Sequence, residues 1–274
     1  MPELPEVETI RRSLQGVAGR CIESIYFSAL APVETTTPKK IRVALLHQMM
    51  TAIDRHGKYL LFRTKSGAAL VVHLGMTGRL HFLQQPTPRP QHTHLELIFT
   101  DHSRLQFIDA RRFSTISITQ DPAYRDNPFL KRLGPDFING LVTPEAFVSR
   151  CRQHPGLTLK SLTLHQGVMA GLGNIYACES LYRAGLNPRR RVKRTSSEEL
   201  KCLLAAARDI LTTGIRQGGT TLRDYLDGLG NRGAMKKFLQ VYGRDGMKTL
   251  DGRGLVKRIV QGQRATFYAP EVQK

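Results

Sequence analysis

The 274-residue sequence predicts an α+β fold. Two features carry the prediction. Short strand-like runs follow one another between Cys21 and about Ile118, and helical periodicity takes over beyond the Asn127-Pro128 and Gly134-Pro135 breaks. Strands bunched together, rather than alternating with helices, argue for a sandwich or barrel and against a doubly wound sheet. Strand character returns over Val256–Tyr268, and a chain of this length is better read as two domains than one.

Taken in order, the first element is a helix over Leu4–Val17, where Val7, Ile10, Leu14 and Val17 recur at helical spacing. Pro5 sits in its first turn, and Glu3, Glu6 and Glu8 precede Arg11 and Arg12, the charge order that suits the helix dipole. Strands follow at Cys21–Phe27, Tyr59–Arg63, Ala69–His73, Leu95–Phe99 and Leu105–Ile108. Pro86, Pro88 and Pro90 make Gln85–Thr93 a loop. In the second half, Thr143-Pro144-Glu145 opens one helix, and Asn174–Ala184 forms another, stopped by Gly185 and Pro188. Ser196–Thr213 is a third, with Ser196 and Glu199 spaced as a capping box and Leu200, Leu203, Leu204, Ala207 and Leu211 on one face. The final strands pair as a hairpin turning near Gln261-Gly262.

Charge narrows the function. Lys and Arg number 41 against 22 Asp and Glu, a net +19, which points to a polyanionic partner, most simply nucleic acid. A basic housekeeping protein with no such partner explains the same number. No stretch reaches the roughly 20 apolar residues of a membrane span, and no apolar leader opens the chain. Cys21, Cys151, Cys178 and Cys202 lack metal or disulfide spacing, as expected in a reducing cytosol.

Several signatures carry no chemistry. Gly228, Gly230 and Gly233 spell G-x-G-x-x-G, but no strand–turn–helix unit surrounds them, so they read as a flexible glycine-rich loop. His92 and His94 have the spacing of a metal pair, yet histidines on strand faces are usually structural. The N-terminus is more informative. Removal of Met1 before the small Pro2 would free a secondary amine, and α-amino groups, with pKa about 8, are partly unprotonated at neutral pH. Attack on a sugar carbon would give an iminium ion that promotes elimination, with Glu3 and Glu6 beside it as acid and base. From these residues alone, Pro2 starting a helix remains the plainer reading.

The opening Met1-Pro2-Glu3-Leu4-Pro5-Glu6-Val7-Glu8-Thr9 resembles that of the bacterial formamidopyrimidine-DNA glycosylase family, which removes 8-oxoguanine and cuts abasic sites. The likeness continues through His56-Gly57-Lys58-Tyr59-Leu60, His73-Leu74-Gly75-Met76-Thr77-Gly78, Arg111-Arg112-Phe113 and Gly171-Leu172-Gly173-Asn174-Ile175-Tyr176. It resumes at Gly218-Gly219-Thr220-Thr221-Leu222, Val241-Tyr242-Gly243-Arg244 and Gln263-Arg264-Ala265-Thr266-Phe267-Tyr268. Leu4, in place of glycine, favours this branch over the related endonuclease VIII branch.

The resemblance implies a two-sheet catalytic β-sandwich over 1–132, a helix–two-turn–helix domain over 133–237 and a β-hairpin finger over 238–274. It implies Pro2 as Schiff-base nucleophile, Glu3 as proton donor and acceptor, Glu6 as a support for the sugar or a water, and Lys58 as proton donor for elimination. Met76, Arg111 and Phe113 would fill the gap left by an extruded nucleotide, which offsets a few kcal/mol of lost stacking. Arg111 would also pair with the stranded cytosine. His73, Asn174 and Arg264 would grip phosphates, and Lys160 would lie near the lesion. The basic run Arg189, Arg190, Arg191, Lys193 and Arg194 adds to the field that draws in DNA.

The sequence also departs from the family. Its usual four-cysteine zinc finger would place ligands at Thr249, Gly252, Ala269 and Val272, none of which offers the thiolate or imidazole that zinc needs. A zincless finger with no cofactor is therefore expected, with apolar packing in place of the metal. His165 stands where the family has Asp, and Ala234-Met235 replaces an aromatic pair in the lesion-capping loop. The expected partner is double-stranded DNA holding an oxidised purine or abasic site, met by a monomer in the bacterial cytoplasm at the nucleoid. A damage-binding descendant without catalysis is the alternative, and the presence of Pro2, Glu3 and Lys58 argues against it.

Overall fold

Side-chain alternation along the strands builds the first core. In this computed structural model, residues 1–138, 142–220, 231 and 233–274 are described. Contacts divide the chain into two units, Met1–Arg132 with Gly218–Ala234, and Leu133–Gln217 with Met235–Lys274. The segment from Gly218, assigned from sequence to the helical part, thus goes with the N-terminal unit. One reason is that the Thr220 N–H donates to Glu6 Oε1 at 2.6 Å.

The N-terminal unit opens with α1 (Leu4–Ser13), which ends earlier than its periodicity suggested and passes through a 3-10 turn at Gln15–Val17. Gly16, a poor helix former, lies at that turn. Then come β1 (Ile22–Phe27), α2 (Pro38–Leu45), β2 (Met50–His56), β3 (Tyr59–Thr64), β4 (Ala69–His73), β5 (Arg79–Leu83), β6 (Thr93–Phe99), β7 (Arg104–Ile108) and β8 (Thr115–Thr119). They form two antiparallel four-stranded sheets, ordered β1-β6-β7-β5 and β2-β3-β4-β8. Leu60 and Phe62 of β3 and Leu70 and Val72 of β4 point to one shared core with Leu95, Leu97 and Phe99 of β6 and Leu105 and Phe107 of β7. A single core fed by both sheets is a sandwich. Val7, Ile10 and Leu14 of α1 enter the same cluster, so the helix is fixed against the sheets. Thr37 caps α2 through Lys40 N–H, with Pro38 at its first position.

The second unit holds α3 (Pro144–Arg152), α4 (Leu159–Leu164), α5 (Asn174–Arg183), α6 (Ser197–Arg216) and the hairpin β9 (Lys257–Gln261) and β10 (Arg264–Tyr268). The reciprocal Ser196–Glu199 capping box starts α6, and Leu200, Leu203, Leu204, Ala207 and Leu211 are buried. Between α4 and α5, Gln166 closes the connecting loop: its Oε1 accepts from Gly171 N–H and its Nε2 donates to the Leu164 and Leu172 carbonyls. The hairpin turns at Gly262-Gln263, one residue later than expected; both have positive φ (52° and 61°), as a two-residue turn between twisted strands requires.

Candidate active site and nucleic-acid interface

Four buried carboxylates organise the functional side chains, and the first two lie on α1. Pro2 and Glu3 are buried just ahead of that helix, Glu3 at 3% exposure. The Glu6 carboxylate holds them in place, accepting Glu3 N–H at 2.8 Å through Oε2 and Thr220 N–H through Oε1. Gly219 is required beside it: φ is +83°, and a Cβ there would come within 2.9 Å of the Glu6 side chain. Glu6 thus anchors the chain's start, each of its carboxylate oxygens accepting a backbone N–H.

Glu8 does more than complement a helix dipole. Its carboxylate receives Arg11 and Arg12 of its own helix and Arg55 Nε of β2 at 3.1 Å. Burial works to raise its pKa, but hydrogen bonds from Arg11 and Arg12 and the charges of Arg11 and Arg55 outweigh it and bring it down to about 2. Arg55 Nη1 in turn donates to the Gly57 carbonyl at 3.0 Å. Through Glu8 and Arg55, the helix that begins behind Pro2 and Glu3 is clamped to the β2–β3 turn that carries Lys58. Lys58 is 7% exposed, on a two-residue turn that Gly57 makes at φ +57°.

His73 pairs across the sheet with Tyr59, the residue after Lys58. Burial and then the Lys58 charge push its pKa down to about 4, so the ring is neutral at neutral pH. Gly75 N–H donates to Nδ1 at 3.2 Å, which assigns the ring proton to Nε2. His73 can therefore offer a phosphate a neutral donor.

Met76 and Phe113 are 43% and 56% exposed, unusual for large apolar side chains, and sit on two loops held together from below. Asp109, fully buried, accepts Arg111 N–H at 3.2 Å, Ser114 N–H at 3.1 Å and the Thr77 hydroxyl. Gly75 (φ +58°) lets the loops touch, since a Cβ there would lie 2.3 Å from the Phe113 carbonyl oxygen. The Arg111 guanidinium lies over the Phe113 ring, 4.9 Å from its centroid. His94 belongs to this scaffold rather than to a metal pair: Nδ1 meets Ser28 Oγ and Nε2 meets the Asp109 carbonyl.

In the second unit, Asn174 begins α5 and donates Nδ2 to the Ala265 carbonyl at 2.8 Å, tying the helix to the hairpin. Its Oδ1 is buried without a hydrogen-bond partner among the described residues. Arg264, one residue past the turn, is exposed. Lys160 does not reach the surface. It is 1% exposed, with Nζ donating to the Asn174 carbonyl at 3.3 Å and to Cys178 Sγ at 2.9 Å, so it braces Asn174 from behind. The His165 ring lies tilted against that of His154, centroids 4.6 Å apart. Met235 is fully buried and Ala234 bridges Thr220; Gly228 and Gly230 lie outside the described residues.

The fourth carboxylate, Glu179, is 1% exposed and accepts the N–H groups of Gln240, Val241 and Tyr242. It docks the segment leading into the hairpin onto α5, and burial pushes its carboxyl up against those three donors. Sequence reading missed it, Asp109 and Glu8's reach to Arg55, because each partner is distant in the chain or a backbone amide.

The four finger positions do not fit zinc. Thr249 Oγ1 bonds Asp251 at 2.7 Å, Gly252 has no side chain, and Ala269 and Val272 pack with Cys178, Tyr182, Val241, Val256 and Phe267. Asp251 also accepts Tyr182 Oη at 2.7 Å and Arg253 Nε at 2.8 Å. Burial opposes its ionisation, and the Tyr182, Thr249 and Arg253 hydrogen bonds prevail, holding it well below the usual carboxylate range.

A two-sheet sandwich presenting a proline-headed helix, with a helical unit bearing a basic hairpin, defines a class of DNA-processing enzymes. Residues 1–116 match the formamidopyrimidine-DNA glycosylase N-terminal domain, and residues 133–225 match the formamidopyrimidine-DNA glycosylase H2TH domain. A formamidopyrimidine-DNA glycosylase of Pelotomaculum thermopropionicum is 36% identical, covering 100% of this chain and 99% of its own length. The MutM (Fpg) crystal structure from Thermus thermophilus superposes with TM-score 0.86 at 36% identity, over 99% of this chain and 98% of that one. A Lactococcus lactis Fpg variant in complex with DNA containing Fapy-dG superposes with TM-score 0.90 at 30% identity over all of both chains. The chain belongs to the formamidopyrimidine-DNA glycosylase family.

Proposed function

We propose that this chain is a base excision repair DNA glycosylase and AP lyase acting on oxidised purines, 8-oxoguanine and formamidopyrimidines, in duplex DNA. Once Met1 is removed, the Pro2 amine attacks C1′ of an extruded nucleotide as the base departs, and Glu3 supplies the proton that opens the sugar. The resulting iminium ion acidifies the neighbouring carbon. Successive β- and δ-eliminations then release the 3′- and 5′-phosphates, with Lys58 as proton donor. Met76, Arg111 and Phe113 fill the vacated stack, and Arg111 donates to the stranded cytosine. His73, Asn174 and Arg264 hold phosphates. The finger works without metal, in a monomer in the bacterial cytoplasm at the nucleoid.

The observation that carries this reading is the Glu8–Arg55–Gly57 clamp, which ties the helix behind Pro2 and Glu3 to the Lys58 turn. Such a tie gives a nucleophile and an acid the fixed separation that positional catalysis requires. Borohydride trapping on an 8-oxoguanine·cytosine duplex tests it. A covalent complex forms with the mature protein and is lost in Pro2→Gly. Tight binding without trapping would leave a damage-binding protein, and active protein that retains Met1 would overturn the mechanism.

A further inference from the structure

The basic run at 189–194 is a built feature rather than a solvated tail. Among the described residues, Arg189, Arg190, Arg191, Lys193 and Arg194 line a concavity of about 370 Å³ in the second unit. Its backbone is sewn down on both sides. Val192 is fully buried and donates N–H to the Leu157 carbonyl, Lys193 N–H donates to Pro155, and the Pro188 and Arg190 carbonyls receive Lys160 and Leu159 N–H. The Arg152 guanidinium caps the Val192 and Thr195 carbonyls at 2.8 and 2.7 Å.

Two consequences follow for an anion. The first N–H groups of α4 are consumed by Pro188 and Arg190, so the helix start has none to give a phosphate there and binding falls to side chains. Arg190 is already committed to Glu199 at 2.6 Å, whereas among the described residues Arg189, Arg191, Lys193 and Arg194 make no ion pair. Four cations are thus held close together on a fixed backbone without compensating acid, an arrangement whose mutual repulsion a polyanion relieves.

The loop is also joined to the phosphate-gripping hairpin within the same unit. Gln261, directly across the strand pair from Arg264, donates Nε2 to the Pro188 carbonyl at 3.3 Å, one residue before Arg189. We infer that Arg189, Arg191, Lys193 and Arg194 form an accessory clamp on the phosphodiester backbone of the duplex flanking the lesion, beyond the phosphate assigned to Arg264. The inference rests on the glycosylase reading for its choice of DNA as the polyanion. Phosphates recur about every 3.4 Å of axis along each strand, so four cations on one loop can meet more than one.

The test compares the wild type with a variant carrying Arg189→Gln, Arg191→Gln, Lys193→Gln and Arg194→Gln. Binding is measured on an abasic-analogue duplex barely longer than the lesion site and on one several helical turns longer. The variant loses at least tenfold affinity on the long duplex and keeps wild-type affinity on the short one. Its slope of log affinity against log salt on the long duplex flattens by about 0.9 for each phosphate no longer neutralised. Equal loss on both lengths, or an unchanged slope, overturns the clamp. Borohydride trapping on saturating short duplex stays at the wild-type level in the variant. A wild type that fails to trap overturns the catalytic reading instead, while the length dependence still decides the clamp.

Discussion

Two exposed loop systems in this molecule are stiffened by opposite means. The Met76 and Arg111–Phe113 loops rise from four-stranded sheets whose core continues beneath them, and one buried aspartate, Asp109, gathers the Thr77 hydroxyl of the first and the Arg111 and Ser114 N–H groups of the second. Among the described residues the hairpin of β9 and β10 has no third strand, and Val260 on its outer face is 64% exposed. An isolated two-stranded hairpin is marginal in water. It persists by being docked: Glu179 fixes the chain that leads into it, Asn174 reaches its backbone, and a small cluster around Val256 and Phe267 supplies the apolar contact. A loop backed by a sheet tolerates the loss of one polar group, whereas a docked hairpin concentrates its dependence on a few.

That contrast can be broken at the docking carboxylate first. Glu179→Ala strands three N–H groups and lowers stability by roughly 3–5 kcal/mol, read by calorimetry, with the loss confined to the second unit. A shift under about 1 kcal/mol would mean that apolar contact alone docks the hairpin. Acid is the next lever. Because Glu8 is held at about 2, against 4.5 in an unfolded chain, its clamp is fully present above pH 4.5 and is lost as pH falls toward 2. The upper limit of that contribution is about 3 kcal/mol, and Glu8→Gln removes this segment of the acid profile.

A paired comparison of aspartates is sharper still. Asp109→Ala costs roughly 2–3 kcal/mol and weakens binding to lesion duplex. Asp251→Ala, at a half-exposed and therefore screened site, costs roughly 1 kcal/mol but selectively raises amide exchange in β9 and β10. Equal exchange changes in both regions would erase the distinction. The smallest effect is expected from chelator: neither thermal stability nor strand cleavage changes, and elemental analysis finds no stoichiometric zinc.

Legibility followed the range of each interaction. β4 was readable to the residue and β3 to within one, because Tyr59–Phe62 and Ala69–Val72 are continuous apolar runs. The second strand, Met50–His56, was hidden by its polar Asp54-Arg55-His56 end, where Asp54 and Arg55 serve ion pairs rather than an apolar face. α2 carried a legible Thr37-Pro38 start but a basic surface, and α4, with six residues, is too short for periodicity to register. At the candidate site, Pro2, Glu3, Lys58, Met76, Arg111, Phe113 and Arg264 stood out through motif resemblance. Asp109 and Glu179 did not, since a carboxylate that collects backbone N–H groups leaves no pattern in side-chain spacing. The burial of Lys160 was hidden as well, since its partner Cys178 lies eighteen positions away.

The chain has no cysteine after Cys202, so its finger contains no sulfur that peroxide could convert to a sulfenic acid. Elsewhere, burial drives the Cys151 thiol up to about 12 and raises Cys178 as well, which keeps both in the unreactive protonated form. The docked hairpin therefore carries no thiol of its own, and the two cysteines buried in the same unit are poor targets for an oxidant.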